Sequence, residues 1–184
     1  MIVKVCGITR REDAEVAAEA GASAIGFIFY PKSPRYVAPE KARELGDGLD
    51  VWRVGVFVDE TPADIEAVIR AANLDVAQVY GREIPQHHRV WSAVRVAMQA
   101  PPVMAGAEAL FLDSSGNGIT FDWSLARNAA EKVIIAGGLN PDNVREAIRV
   151  AKPWGVDASS GLETAPGIKD HEKIRKFIAE ARQL

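Results

Sequence analysis

Eight short runs rich in Val, Ile and Phe recur along the 184-residue chain, and they constrain its fold more than any other feature. They cover residues 2–6, 24–29, 53–58, 76–79, 90–96, 109–113, 133–136 and 155–158. Each run is nearly all apolar instead of alternating, so each reads as a strand buried on both faces, as in a parallel sheet.

Helical patterns lie between the runs. Residues 11–20 follow Thr9, a candidate N-cap, and stop at Gly21. Residues 39–45 and 62–72 open with Pro39 and Pro62 at first-turn positions, and Thr61 can cap the latter. Residues 141–150 follow Asn140 in the same way and end at Lys152 and Pro153. Residues 168–182 place Ile174, Phe177, Ile178 and Ala181 on one face. Strict strand–helix alternation means right-handed βαβ units. Eight strands without a second composition zone favour a closed (βα)8 TIM barrel over an open doubly wound sheet, in one domain spanning residues 1–184.

The spacing is uneven. Only residues 80–89, with Pro85 among them, separate the fourth run from the fifth. A parallel crossover normally takes about a dozen residues or more, so the helix after strand four is expected to be reduced or missing. The helix after strand five, within 103–108 beyond Pro101 and Pro102, is expected to be short. The result is a barrel well below the roughly 250 residues typical of the fold.

The net charge of -3 leaves no basic footprint for nucleic acid or an acidic membrane surface. No run approaches the roughly 18 apolar residues of a membrane span. The first residues turn charged at once, unlike a signal peptide. One cysteine excludes an internal disulfide and a cysteine zinc cluster, and it fits a reducing compartment. A cytoplasmic enzyme acting on a small molecule is expected, as a monomer or homodimer.

In such barrels the chemistry sits where strands end and βα loops begin. The loops 136–140, with Gly137 and Gly138, and 157–161, with Asp157, Ser159, Ser160 and Gly161, follow strands seven and eight. Glycine lets backbone N–H groups approach an oxyanion, and hydroxyls add donors without charge. Tight turns with helix caps would explain either loop alone. The pair, on the two strands where this fold usually holds phosphate, points to a phosphate cradle. Cys6 ends strand one. Elsewhere it would be a small packed hydrophobe, but at this rim its thiolate can act as a base or a nucleophile. Asp122 is either an N-cap for a short helix at 123–128 or a general acid carried by the Gly-rich loop after strand six. Arg35, in a proline-stiffened loop, is either a solvated charge or a fork donor for a substrate carboxylate.

The segments Lys4-Val5-Cys6-Gly7-Ile8-Thr9, 26–36, 54–58, Thr120-Phe121-Asp122-Trp123, 136–141 and 156–161 together resemble the phosphoribosylanthranilate isomerase family of tryptophan biosynthesis. They run in the family's order over nearly the whole chain. The resemblance implies an Amadori rearrangement of N-(5-phosphoribosyl)anthranilate to 1-(2-carboxyphenylamino)-1-deoxyribulose 5-phosphate, without cofactor or metal. It implies Asp122 as general acid for ring opening and Cys6 as the base that takes the C2 proton. Arg35 would hold the anthranilate carboxylate. Gly138, Ser159 and Ser160 fall where the family binds phosphate, and Asp157 where it has a further polar contact. Ring opening needs a protonated carboxyl, so Asp122 is expected to titrate high once its loop closes.

The chain departs from the family at Tyr80, where His is common, and at Ser92, where Lys is common. The missing helical material between Gly81 and Val90 is expected to threaten stability or leave an apolar patch for a partner to cover. Two other functions fit the sequence: a related aldose–ketose isomerase on another phosphoribosyl substrate, and a barrel that binds phosphoribosyl ligands without turning them over.

Overall fold

A computed structural model describes residues 1–81, 83–86, 88–96, 103–114 and 118–183. Eight parallel strands close into a barrel in sequence order: β1 (Ile2–Cys6), β2 (Ala24–Ile28), β3 (Trp52–Phe57), β4 (Val76–Val79), β5 (Val90–Val96), β6 (Ala109–Ser114), β7 (Val133–Ile135) and β8 (Gly155–Ala158). Pairing of β1 with β8 makes the closure and sets Lys4 opposite Asp157. Helices α1 (Arg11–Glu19), α2 (Pro39–Gly46), α3 (Pro62–Ala72), α4 (Val144–Ala151) and α5 (His171–Arg182) surround the sheet. A hairpin of β9 (Glu163–Ala165) and β10 (Ile168–Lys169) stands between β8 and α5. No helix among the described residues is long and apolar enough to cross a membrane.

The two-residue period of the strands sorts their side chains into two cores. Ala24, Val54, Val76, Trp91, Phe111 and Ile134 form one cluster, with Trp91 edge-on to Trp154 at 6.1 Å. Val3, Val5, Ile25, Phe27, Phe57, Leu110 and Leu112 form the other, with Ile65 and Ile69 of α3 and Phe177 and Ile178 of α5. The first cluster fills the barrel and the second joins it to its helices. Lys4 and Cys6 share the parity of Ile2, so both face inward.

Helix α3 keeps the bounds its sequence predicts: Thr61 accepts from the Asp64 N–H at 3.3 Å, and Asn73 ends it in the left-handed region. One helix cap and two helix starts differ from expectation. Thr9 does not cap α1; its hydroxyl donates to the Gly167 carbonyl at 2.5 Å, and the N-cap position is Arg10, which makes no side-chain cap. Glu12 and Asp13 supply the negative charge that this N-terminus favours. Residues 168–169 are extended as β10, and α5 starts after Asp170, whose carboxylate accepts from the Glu172 and Lys173 N–H groups. Helix α4 starts at Val144, because the Asn140 side chain accepts from the Asp142 N–H and holds residues 140–143 in a turn.

The described residues between β4 and β5 contain no helix. Between β5 and β6 they contain only a turn at 105–106, so the short helix expected within 103–108 is replaced by irregular chain. Among the described residues, the apolar patch expected on this wall does not form. Val79, Val90, Val96, Leu110 and Leu112 are buried, with Ile84 and Val103 of the connecting chain packed against the same core. The large exposed hydrophobics among the described residues are Met1, Tyr36, Ile119 and Ile168, none of them on that wall. Among the described residues, irregular chain does the covering that helices do elsewhere.

Candidate active site

A cavity of about 360 Å³ opens at the C-terminal ends of the strands. Cys6 from β1, Asp157 from β8, Arg35 from the loop after β2, and Gly137, Gly138, Ser159 and Ser160 from the last two βα loops all line it. Of the residues expected at a site, only Asp122 lies off its walls.

The two glycine loops meet through backbone. Gly137 and Gly138 have φ of +80° and +67°, which side-chain-bearing residues rarely adopt. A Cβ on Gly161 would stand 2.1 Å from the Leu139 carbonyl oxygen, so the loops after β7 and β8 touch only because that side chain is missing. The Ser159 hydroxyl is shielded from solvent yet has no hydrogen-bond partner among the described residues. A buried hydroxyl without a partner is a donor available to an anion.

Cys6 is buried, and burial pushes its thiol up, opposed mainly by the ammonium of Lys4. That lysine is fully buried and donates to Asp157 Oδ1 at 2.7 Å. Burial works against its charge, but Asp157 and Cys6 outweigh this and hold it above the ordinary lysine range.

Arg35 is not a solvated charge. Its Nε and Nη2 donate to the two Glu163 carboxylate oxygens at 2.7 and 2.6 Å, and these bonds raise its pKa. Lys169 donates to the same carboxylate at 2.8 Å and to the Ser159 carbonyl at 3.2 Å. Burial would raise the Glu163 pKa, yet the two cations hold it below the usual carboxylate range; burial lowers Lys169. The fork expected for a substrate carboxylate is thus already half occupied, leaving Nη1 without a partner among the described residues.

Tyr80 donates to Asp113 Oδ2 at 2.9 Å on the same cavity. Burial, reinforced by Asp113, drives the phenol well above its ordinary value, and burial raises Asp113. Tyr80 therefore keeps a donor where the family commonly has His. Ser92 is fully buried, and its hydroxyl has no partner among the described residues.

Asp122 is exposed and caps the 3-10 helix at Trp123–Ala126, accepting from the Ser124 N–H at 3.0 Å. The Ser124 hydroxyl and then its N–H hold this carboxyl below the ordinary range, the reverse of the shift expected for an acid in a closed loop. Residues 115–117 of its loop lie outside the described residues, but Gly118 reaches the cavity.

Lys4, Glu163 and Lys169 join the site beyond the residues that the sequence marks. A lysine two places before Cys6 in an otherwise apolar strand was a usable signal, since the two share a face. Glu163 and Lys169 carried none, because residues 168–169 read as helix. Among the described residues no group of three or more His, Cys, Asp or Glu side chains is placed to hold a metal ion.

Fold and cavity together define the class: a TIM-barrel enzyme with its reaction chamber at the C-terminal ends of the strands. A family model described as N-(5'phosphoribosyl)anthranilate (PRA) isomerase matches residues 3–180. The isomerase of Solibacter usitatus is 48% identical over 195 residues, covering 99% of this chain and 98% of the relative. Monomers generated from the dimeric enzyme of Thermotoga maritima superpose with a TM-score of 0.87 at 42% identity, with both chains fully covered at 100%. An isomerase solved with reduced 1-(o-carboxyphenylamino)-1-deoxyribulose 5-phosphate gives 0.86 at 41% identity, again with 100% of both chains covered. The chain belongs to the N-(5'-phosphoribosyl)anthranilate isomerase family.

Proposed function

We propose that this chain converts N-(5'-phosphoribosyl)anthranilate to 1-(2-carboxyphenylamino)-1-deoxyribulose 5-phosphate in the cavity at the barrel mouth, with Asp122 as acid and Cys6 as base. The observation that carries this reading is the placing of the Cys6 thiol on the same cavity as the paired glycine loops. A phosphate on Gly137, Gly138, Ser159 and Ser160 would anchor one end of the substrate, taking the unpartnered Ser159 hydroxyl as a donor. Arg35 would offer its Nη1 edge to the anthranilate carboxylate while Glu163 fixes its plane. Asp157, on the cavity wall beside Lys4, would face the sugar. One chain supplies all these groups.

The chemistry runs in two proton transfers. Asp122 gives its proton to the ribose ring oxygen. The C1–O bond breaks onto that oxygen, and the amine lone pair forms a protonated Schiff base. The Cys6 thiolate then takes the C2 proton. The freed pair makes C1=C2, and the imine π pair returns to nitrogen, giving an enolamine. Protonation at C1 with loss of the C2 hydroxyl proton yields the ketone. No electron leaves the substrate. Asp122 reaches the ring only by giving up its Ser124 bond, so closure of the loop after β6 both brings and protonates the acid.

Substrate fluorescence tests the assignment. Cys6→Ser and Asp122→Asn are each expected to lower kcat by roughly 10²–10⁴-fold. Full rates in both variants would overturn the acid–base roles. Tight product binding by a wild-type chain that shows no turnover would favour the binding barrel.

A further inference from the structure

We propose that Lys4 is a positioning residue for Cys6, its buried ammonium favouring the thiolate form of the sulfur against the burial and the carboxylate that disfavour it. This inference rests on the proposed role of Cys6 as base.

The geometry begins with strand parity. Lys4 and Cys6 stand two residues apart on β1 and project to the same side. Opposite Cys6 on β2 is Gly26, and opposite Lys4 is Ala24. A Cβ on Gly26 would lie 2.8 Å from Cys6 Sγ, 3.0 Å from Lys4 Cε and 3.1 Å from Lys4 Nζ. The missing side chain of Gly26 thus opens the space in which ammonium and sulfur meet. From across the barrel the Phe111 ring faces the ammonium, 5.3 Å from Nζ to its centroid, and Asp157 accepts from it at 2.7 Å.

Burying an ammonium is expensive even when it is paired, and an apolar side chain often fills such a place at no loss of stability. A lysine in the barrel interior is therefore poorly explained by packing. The charges around the sulfur give it a purpose. Asp157 of β8 disfavours a second negative charge, and burial disfavours any charge. Tyr80 beyond β4 is neutral in its ordinary state. Lys169 of β10 also favours a negative sulfur, as the last and smallest of the charges acting on it, but it and Arg35 from the loop after β2 are both engaged by Glu163. Lys4 alone both neutralises Asp157 and stands against the sulfur. Without it, Cys6 would be a buried thiol facing an uncompensated carboxylate.

Cys6 is the one cysteine of the chain, so ultraviolet thiolate absorbance and the rate of iodoacetamide alkylation report on it alone. In Lys4→Met the thiolate titration is expected to move up by about one unit or more, which is about tenfold less thiolate at any pH below both midpoints. The rising limb of kcat/KM against pH should move with it while KM changes little. An unmoved thiolate titration, whatever the activity, would overturn the inference and leave Lys4 a structural ion-pair partner. Should Lys4→Met fail to fold, wild type with isotope-labelled lysine decides. The Lys4 ammonium resonance should shift across the pH range of thiolate formation, and that shift should vanish in Cys6→Ser; a flat response would overturn the proposal. Neither titration needs turnover. If Cys6→Ser kept full activity, the base assignment would fall while the effect of Lys4 on the sulfur was still decided.

Discussion

Burial pushes the Cys6 thiol up, and this gives its proposed role a pH signature. The value of kcat/KM should go on rising with pH beyond the ordinary thiol range near ~8.5, and a pH–rate profile of Cys6→Ser should lack that limb. Glu163 makes the opposite prediction for stability. Its folded pKa is depressed by Arg35 and Lys169, so the stabilisation is fully present above the unfolded Glu value near ~4.3. It is lost as pH falls through the lower folded value. Glu163→Gln should cost about 1–3 kcal/mol in urea unfolding near neutrality and remove that acid dependence. A variant as stable as wild type would show the cluster to be idle. Residue by residue, the sequence made Cys6, Arg35 and the two glycine loops legible as cavity-lining groups because they sit at strand ends or in the loops that follow them. Glu163 stayed hidden because nothing local marks a carboxylate that will meet a guanidinium 128 residues away in sequence.

The strands were legible as elements because burial on both faces leaves an apolar run with no competing interpretation. Helix starts were less so, since several polar residues can cap and local sequence does not say which wins. Thr9 loses to tertiary geometry: its hydroxyl is taken by Gly167. Asp170 wins because one carboxylate serves two N–H groups. Asp170→Ala should therefore cost about 1 kcal/mol, read as a lowered urea midpoint with an unchanged slope. The joint between the last two loops is a sharper test. Gly161→Ala puts a methyl against the Leu139 carbonyl, where a Cβ would stand 2.1 Å from the oxygen, and the loops must part. If they hold the phosphate, KM should rise at least roughly tenfold while kcat falls less, because the reacting carbons lie away from the anchor. An unchanged KM would place the phosphate elsewhere.

At the scale of the molecule, the count and order of strands made the closed barrel legible, but how its thin wall is covered was not. Coverage depends on where irregular chain settles, and residues 83–86 and 103–104 carry no periodicity to announce that they pack on the sheet. The remaining question is whether barrel and helices unfold as the one domain expected for residues 1–184. Helix α5 is the element to ask, since it follows β8 and packs back on α1, α4 and β1. Phe177 is fully buried in the outer core. Phe177→Ala should cost about 3–5 kcal/mol, a large part of the roughly 5–15 kcal/mol that holds an ordinary domain together. Trp52, Trp91 and Trp154 pack in the inner core and Trp123 on the outer one, so tryptophan fluorescence mainly watches the barrel interior, whereas far-UV circular dichroism is dominated by the helices. If the two layers form one cooperative unit, both signals should shift to the same lower denaturant midpoint in this variant. If α5 peels away first, the dichroism midpoint will fall while the fluorescence midpoint stays, and the helical layer would then be a separate unit clasped around an independently stable barrel.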